Sequence, residues 1–394
     1  MKITNIRVAV VEGNFYWPLV RIDTDEGISG YGEVRDHGRA YYDDRMKRLA
    51  LDLKPFLIGE DPTNIERLFR RIKGFGGQGR QGGGVSGVEM ALWDIFGKTL
   101  GVPVWRLLGG RYRDRVRIYC DCHAGKPIRD SAVDYALNKE DYTPEAYAKN
   151  AREIKRLGFT LLKFDIGAHV GSLVPGGWYD GHITAAGIAY EVSIVKALRE
   201  AVGWETELAL DCGQGTVEAA IRFGQAVEPY GLAWIEDLLW GHESQVEGFK
   251  EVTRRVNVPT LTGEDLYLRE GFRRFIEEGA IRIPAPDMAT AGGIMESKKI
   301  AELAELHGLQ VAPHFAASPV CFMANLHAAA AMPNLIAVEF HAVSVPWWDS
   351  LVKGVEKPII KNGYAQVPEK PGLGIELDEQ AVRKHLKEGE TFFE

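Results

Sequence analysis

Cysteine is scarce in this chain, with four residues (Cys120, Cys122, Cys212 and Cys321) among 394. Their spacing fits no zinc-finger pattern, and Cys120 and Cys122 share one face of a β-like run. The reading is of reduced thiols in a cytoplasmic protein. Long apolar runs are missing too. No stretch approaches a membrane span, and the opening Met1-Lys2-Ile3-Thr4-Asn5-Ile6-Arg7-Val8-Ala9-Val10-Val11 alternates like a strand and has no signal-peptide core, so no membrane partner is expected. Long basic runs are also absent. The 47 basic residues are outnumbered by 55 acidic ones, a formal net charge of −8, which argues against a nucleic-acid partner. No internal sequence repeat stands out. What is present is a soluble globular composition, 45% hydrophobic and 26% charged, with 44 glycines for tight loops. At this length one small core is too little, and two domains are expected.

Residues 3–11, 18–23 and 28–34 read as strands, and 41–54, 62–73 and 85–100 as helices. Three strands followed by three helices make an α+β domain, residues 1–115, closing at the turn Gly109-Gly110. From residue 116 strands and helices alternate. Candidate strands are 116–121, 159–165, 206–211, 232–236, 259–264, 281–286, 309–314 and 335–340, separated by amphipathic helices such as 143–157, 188–202, 216–229 and 294–307. Eight such units predict an α/β fold: a TIM-type (β/α) barrel over residues 116–350, with the N-terminal α+β domain as its cap. The Lys-, Pro- and Gly-rich segment 351–394 is expected to return over the capping domain.

Three of these strands end in acids: Ala209-Leu210-Asp211, Trp234-Ile235-Glu236 and Thr262-Gly263-Glu264. Alternation puts Asp211 on the face of Ala209, Glu236 on that of Trp234 and Glu264 on that of Thr262, with Leu210, Ile235 and Leu261 pointing away. The C-terminal tips of neighbouring barrel strands share one mouth. Three carboxylates meeting there would repel one another unless a cation sat among them, and Mg²⁺ suits an all-oxygen site.

Several further motifs run the length of the chain: Ala91-Leu92-Trp93-Asp94-Ile95-Phe96-Gly97-Lys98 with Leu107-Leu108-Gly109-Gly110, Pro286-Asp287 before Ala291-Gly292-Gly293-Ile294, Ala312-Pro313-His314, and Val338-Glu339-Phe340. With the three acids, they resemble the enolase superfamily, and within it the mandelate-racemase-like acid-sugar dehydratases. The resemblance implies that Asp211, Glu236 and Glu264 are metal ligands. It implies that His314 and Asp287 form a catalytic dyad in which Asp287 orients the imidazole, and that Glu339 hydrogen-bonds the substrate carboxylate or enediolate. Chemistry of this kind, a His or Lys base working with Mg²⁺ on an ene-diolate, is the superfamily's known pattern. It also implies a symmetric homo-oligomer, dimer or octamer.

The second barrel strand departs from the racemase pattern. Racemases carry Lys-x-Lys there, whereas this chain reads Leu162-Lys163-Phe164-Asp165, and Gly213 stands where related dehydratases place a histidine. Inverting a stereocentre needs groups on both faces of the substrate, while one dyad that takes the α-proton and returns it to the departing hydroxyl suffices for dehydration. The expected activity is therefore a lyase: dehydration of an aldonate, of the gluconate or galactonate type, to a 2-keto-3-deoxy acid. An epimerase or lactone cycloisomerase using Lys163 as second base, and a non-catalytic binding protein, are the competing readings. Lys163 is expected to present positive charge to the substrate, and Asp165 to bind a hydroxyl or pair with Lys163. Tyr16, His37 and Arg80, on capping-domain loops, are the candidate substrate-binding residues. The glycine-rich stretch Gly76–Gly84 reads as a lid and not as a nucleotide loop, because it follows a helical pattern and no strand.

Overall fold

The computed structural model of the protein describes residues 1–35, 45–122, 139–239 and 243–394. Its first sheet pairs Ile3–Glu12, Tyr16–Thr24 and Ser29–Glu33 antiparallel in sequence order. In the first strand Ile6 and Val8 are buried while Asn5 and Arg7 are not. Beyond Ala9 both faces are covered, since Leu386 of the C-terminal segment bridges Val11. The helix Gly83–Leu100 lies on this sheet. It approaches closely because glycine faces glycine: a Cβ on Gly32 would stand 1.9 Å from the Gly87 carbonyl oxygen. Of the expected helix 41–54, residues 41–44 lie outside the described part. The rest forms two pieces, Arg45–Leu51 and Lys54–Leu57, because Pro55 suits a first helical turn but cannot donate within an interior one.

The barrel matches the expected α/β architecture. Its first to sixth strands are Arg115–Asp121, Leu161–Asp165, Glu207–Asp211, Ile235–Glu236, Thr260–Thr262 and Ile283–Pro284, each parallel to the next. The eighth, Val338–Phe340, lies beside the first with Glu339 opposite Tyr119. The expected seventh strand, 309–314, is reduced to a single bridge, Val311 to Leu335. Pro313 has no N–H for the ladder, so closure rests on Ala312 N–H to Pro284 O (3.2 Å), Ile336 N–H to Val311 O (2.9 Å) and Glu339 N–H to Pro313 O (3.3 Å). Threonine and serine N-caps at Thr143, Thr184, Thr216 and Ser318 start four of the outer helices.

Tyr119, Leu161, Ala209, Trp234, Leu261, Ile283, Ala285, Ala312 and Ala337 fill the barrel interior. This corrects the expected phase of the fifth strand. Leu261, paired with Glu236, faces inward, and Thr262 does not share its face. Glu264 still reaches the mouth because Gly263, at φ 140°, breaks the alternation between them.

Two buried acids fasten the cap. Asp94 accepts from the Tyr31 N–H (3.0 Å) and, in the C-terminal segment, from the Leu373 N–H (2.8 Å). Glu33 crosses to the helix Pro319–Ala330, accepting from the Ser318 N–H (2.9 Å), the Ser318 hydroxyl (2.5 Å) and the Cys321 N–H (3.3 Å). Burial outweighs those donors and pushes the Glu33 carboxyl from 4.5 up to about 8. With the folded value above the unfolded one, this stabilising contribution is complete below about pH 4.5 and is lost as the pH rises through about 8. Urea midpoints of the wild type should fall between about pH 4.5 and 8 more steeply than those of Glu33→Gln, which stays neutral, and level off above that window. Parallel pH profiles would sink this assignment.

Candidate active site

Every barrel strand delivers a titratable side chain to the mouth. In order around the ring they are Asp121, Lys163 with Asp165, Asp211, Glu236, Glu264, Asp287, His314 and Glu339. His314 and Asp287 meet directly, with Nδ1 2.7 Å from Oδ2. Arg35 enters from the end of the capping sheet and places Nη1 2.6 Å from the same Asp287 oxygen and 3.1 Å from His314 Nδ1. On its other side His314 Nε2 lies 2.9 Å from Glu264 Oε2 and 3.7 Å from Glu339 Oε2. Burial and Arg35 both work against a charged imidazole, but Glu264, Glu339 and Asp287 prevail and raise His314 to about 10. Burial likewise opposes ionisation of Asp287, yet Arg35 and then His314 hold it below its ordinary value.

Lys163 is fully buried and forms the hub of the other half of the ring. Its Nζ lies 2.9 Å from Glu236 Oε2, 2.9 Å from Glu339 Oε1, 3.3 Å from Asp121 Oδ2 and 4.0 Å from Asp211 Oδ2. The contact with Glu339 Oε1 is an ion pair and not a hydrogen bond. Despite burial, Glu236, Glu339 and Asp121 push the Lys163 ammonium well above its ordinary value, so it stays charged. Burial pushes the Glu339 carboxyl up to about 7 even beside Lys163 and His314. Its Oε2 accepts from the Phe315 N–H at 2.9 Å.

Asp211 and Glu236 stand in direct register on adjacent strands. Burial and the neighbouring Glu236 raise Asp211 well above the usual carboxylate range, and burial raises Glu236 as well. Glu236 Oε1 is buried with no hydrogen-bond partner. Hard oxygen donors, held uncomfortably and with one atom orphaned, fit a divalent cation. The third acid, Glu264, is turned toward His314 and Arg35, and Arg80 Nη2 hydrogen-bonds it. Burial would raise Glu264, but His314, Arg80 and Arg35 hold it well below its usual range. Among the described residues no three acids, imidazoles or thiols form a ready-made metal cage. Glu264 would have to exchange its protein cations for the metal.

The remaining predicted residues are distributed unevenly. Asp165 stands in register with Asp211 at the mouth. Arg80, at φ 69°, binds Glu264 and Asp265, and its loop is docked on the barrel through Gly79 N–H to Asp265 O (2.9 Å) and a reciprocal pair between Gln78 and Tyr267. Tyr16 pairs with Glu12 in the capping sheet, with Lys387 5.5 Å above its ring. The same loop instead reaches the barrel through Asn14 and Phe15, which contact His341. His37 lies outside the described residues. Sequence reasoning passed over Asp121 and His341, although alternation from Tyr119 and from Glu339 points both inward. It did not single out Arg35.

Sequence comparison agrees with this fold. The profile of the mandelate racemase/muconate lactonizing enzyme N-terminal domain matches residues 9–109, and that described as enolase C-terminal domain-like matches residues 146–381. The chain belongs to the enolase superfamily. Among its superfamily relatives, the D-xylonate dehydratase of Haloferax volcanii is 37% identical over 404 residues, covering 100% of this chain and 91% of the relative. The D-galactonate dehydratase of Cronobacter sakazakii is 30% identical over 375 residues, covering 93% and 90%. Among solved structures, a mandelate racemase/muconate lactonizing enzyme-like protein from Rubrobacter xylanophilus superposes with a TM-score of 0.90 at 36% identity, covering 100% of this enolase-superfamily chain and 99% of that one.

Proposed function

We propose that this chain is a Mg²⁺-dependent acid-sugar dehydratase that removes the α-proton of an aldonate and expels its β-hydroxyl, giving a 2-keto-3-deoxy acid. One observation carries the reading: the mouth holds an imidazole oriented by a buried carboxylate, while the lysine that a two-base racemase would need is locked among Glu236, Glu339 and Asp121. With Nδ1–H donated to Asp287, His314 Nε2 is the base for the α-proton in its neutral form, which Glu264 beside Nε2 now disfavours and which release of Glu264 to a cation would favour. Lys163 holds fixed positive charge beside the substrate carboxylate. Glu339, with its carboxyl at about 7, can donate a proton to the oxygen on which charge grows. Superfamily members bind a divalent metal; here Asp211, Glu236 and Glu264 would hold it, where it supplies Lewis-acid stabilisation of the enediolate charge. Arg35 and Arg80, on Glu264, place the capping domain where it can exclude water.

A library of aldonates and aldarates, headed by D-xylonate and D-galactonate, tests this with Mg²⁺ and 2-keto-acid detection. Conversion of at least one aldonate is expected, with mass loss of one water. Treatment with a chelator should lower the rate by about a thousandfold, the equivalent of several kcal/mol, and Mg²⁺ should restore it. Silence across the library would overturn the dehydratase reading, and α-proton exchange without water loss would favour epimerisation.

A further inference from the structure

Hydroxide is a poor leaving group, and dehydration needs a proton on the departing oxygen. Lys163 already turns its ammonium to Glu236, Glu339 and Asp121, and Gly213 has no side chain to offer. A second imidazole does stand at the mouth. His341 follows Glu339 by two positions, so alternation carries it to the same inward side. Its Nε2 lies 3.7 Å from Asp121 Oδ2, and the two side chains are 7% and 3% exposed. That same Asp121 oxygen is the one 3.3 Å from Lys163 Nζ.

A continuous row of alternating basic and acidic side chains therefore crosses the mouth: His314, Glu339, Lys163, Asp121, His341, with successive separations of 3.7, 2.9, 3.3 and 3.7 Å. An imidazole backed by a carboxylate closes each end, with Lys163 between them. The capping domain lands on the far end. Asn14 Nδ2 donates to the His341 carbonyl oxygen at 2.8 Å, and the Phe15 ring lies against the imidazole with centroids 5.0 Å apart. A substrate seated with its carboxylate over Lys163 would have His314 on one side and His341 on the other.

We propose that His341, oriented by Asp121, is the general acid that hydrogen-bonds the β-hydroxyl of the substrate and protonates it as it leaves. This rests on the dehydratase reading and extends it from one dyad to two. The step balances without a further reactant. His314 takes the α-proton, and the electron pair of that bond forms the enediolate. As the double bond forms between Cα and Cβ, the Cβ–O bond breaks, and the oxygen leaves with its pair and the His341 proton as water. The resulting enol becomes the 2-keto acid by losing its hydroxyl proton, which returns through solvent to His341, while Cβ gains the proton carried by His314.

The test uses the Mg²⁺-loaded full chain, its His341→Asn and His341→Gln variants and Asp121→Asn. Three rates are followed: 2-keto-acid formation from the aldonate the wild type converts, α-proton exchange with D₂O, and fluoride release from the 3-deoxy-3-fluoro analogue of that aldonate. In both His341 variants water loss should fall about 10²–10³-fold, while exchange and fluoride release stay within a factor of a few, because fluoride leaves without a proton. Asp121→Asn should show the same split to a smaller degree. Equal loss of all three rates in the variants, or retention of water loss, would overturn the role of His341. A wild type that forms no keto acid fails the underlying dehydratase reading instead, and that result is read before any variant is made.

Discussion

His314→Asn is expected to lower kcat for 2-keto-acid formation by about 10²–10⁴-fold while KM changes little, the range lost when a positioned base is removed. The reasoning is geometric. His314 is the imidazole whose two nitrogens are separately engaged, Nδ1 by Asp287 at 2.7 Å and Nε2 on the side of Glu264 and Glu339. Asparagine occupies similar volume and can still hydrogen-bond Asp287 but carries no basic lone pair. Exchange of the α-proton with D₂O should disappear together with product. Exchange surviving at the wild-type rate would show that another group takes the proton.

The largest effect on stability is expected at Lys163. Its ammonium is the shared counter-charge of Glu236, Glu339 and Asp121, all buried. Removing one partner of a buried ion pair typically costs about 3–5 kcal/mol, because the stranded charge keeps its desolvation penalty. Lys163→Met, compared with wild type by urea denaturation in the presence of a chelator, should lose on that order. The gap should narrow on acidification, as the stranded carboxylates take up protons. A difference under about 1 kcal/mol near neutral pH would mean that the three acids are already protonated in the wild type and that Lys163 is not their counter-charge. Mg²⁺ should recover part of the loss, since a cation at Asp211 and Glu236 neutralises some of the same field.

Much of this arrangement was legible in the chain because strand tips are local features. A carboxylate ending an apolar run, as at Asp211 and Glu236, needs only the period of two to be placed. The same rule failed at Thr262, where the left-handed Gly263 resets the phase, and it overextended the seventh strand, where Pro313 withholds a donor. Asp121 and His341 obey the rule and were still passed over: Asp121 sits between two cysteines, and His341 follows an acid already assigned. Arg35 and Arg80 were beyond any periodicity. Both lie outside regular elements, and their partners Asp287, Glu264 and Asp265 are nearly two hundred residues or more away in sequence. Only the docking of one domain on the other brings them together.

That docking limits how freely the parts can be recombined. Arg35 and Arg80 belong to the capping domain but neutralise Asp287 and Glu264 of the barrel. A chimera joining this barrel to a foreign cap would strand acidic groups in its own mouth unless the donor brought guanidinium groups to the same two places. Substrate range in this lineage can therefore drift through loop substitutions more readily than through exchange of whole domains.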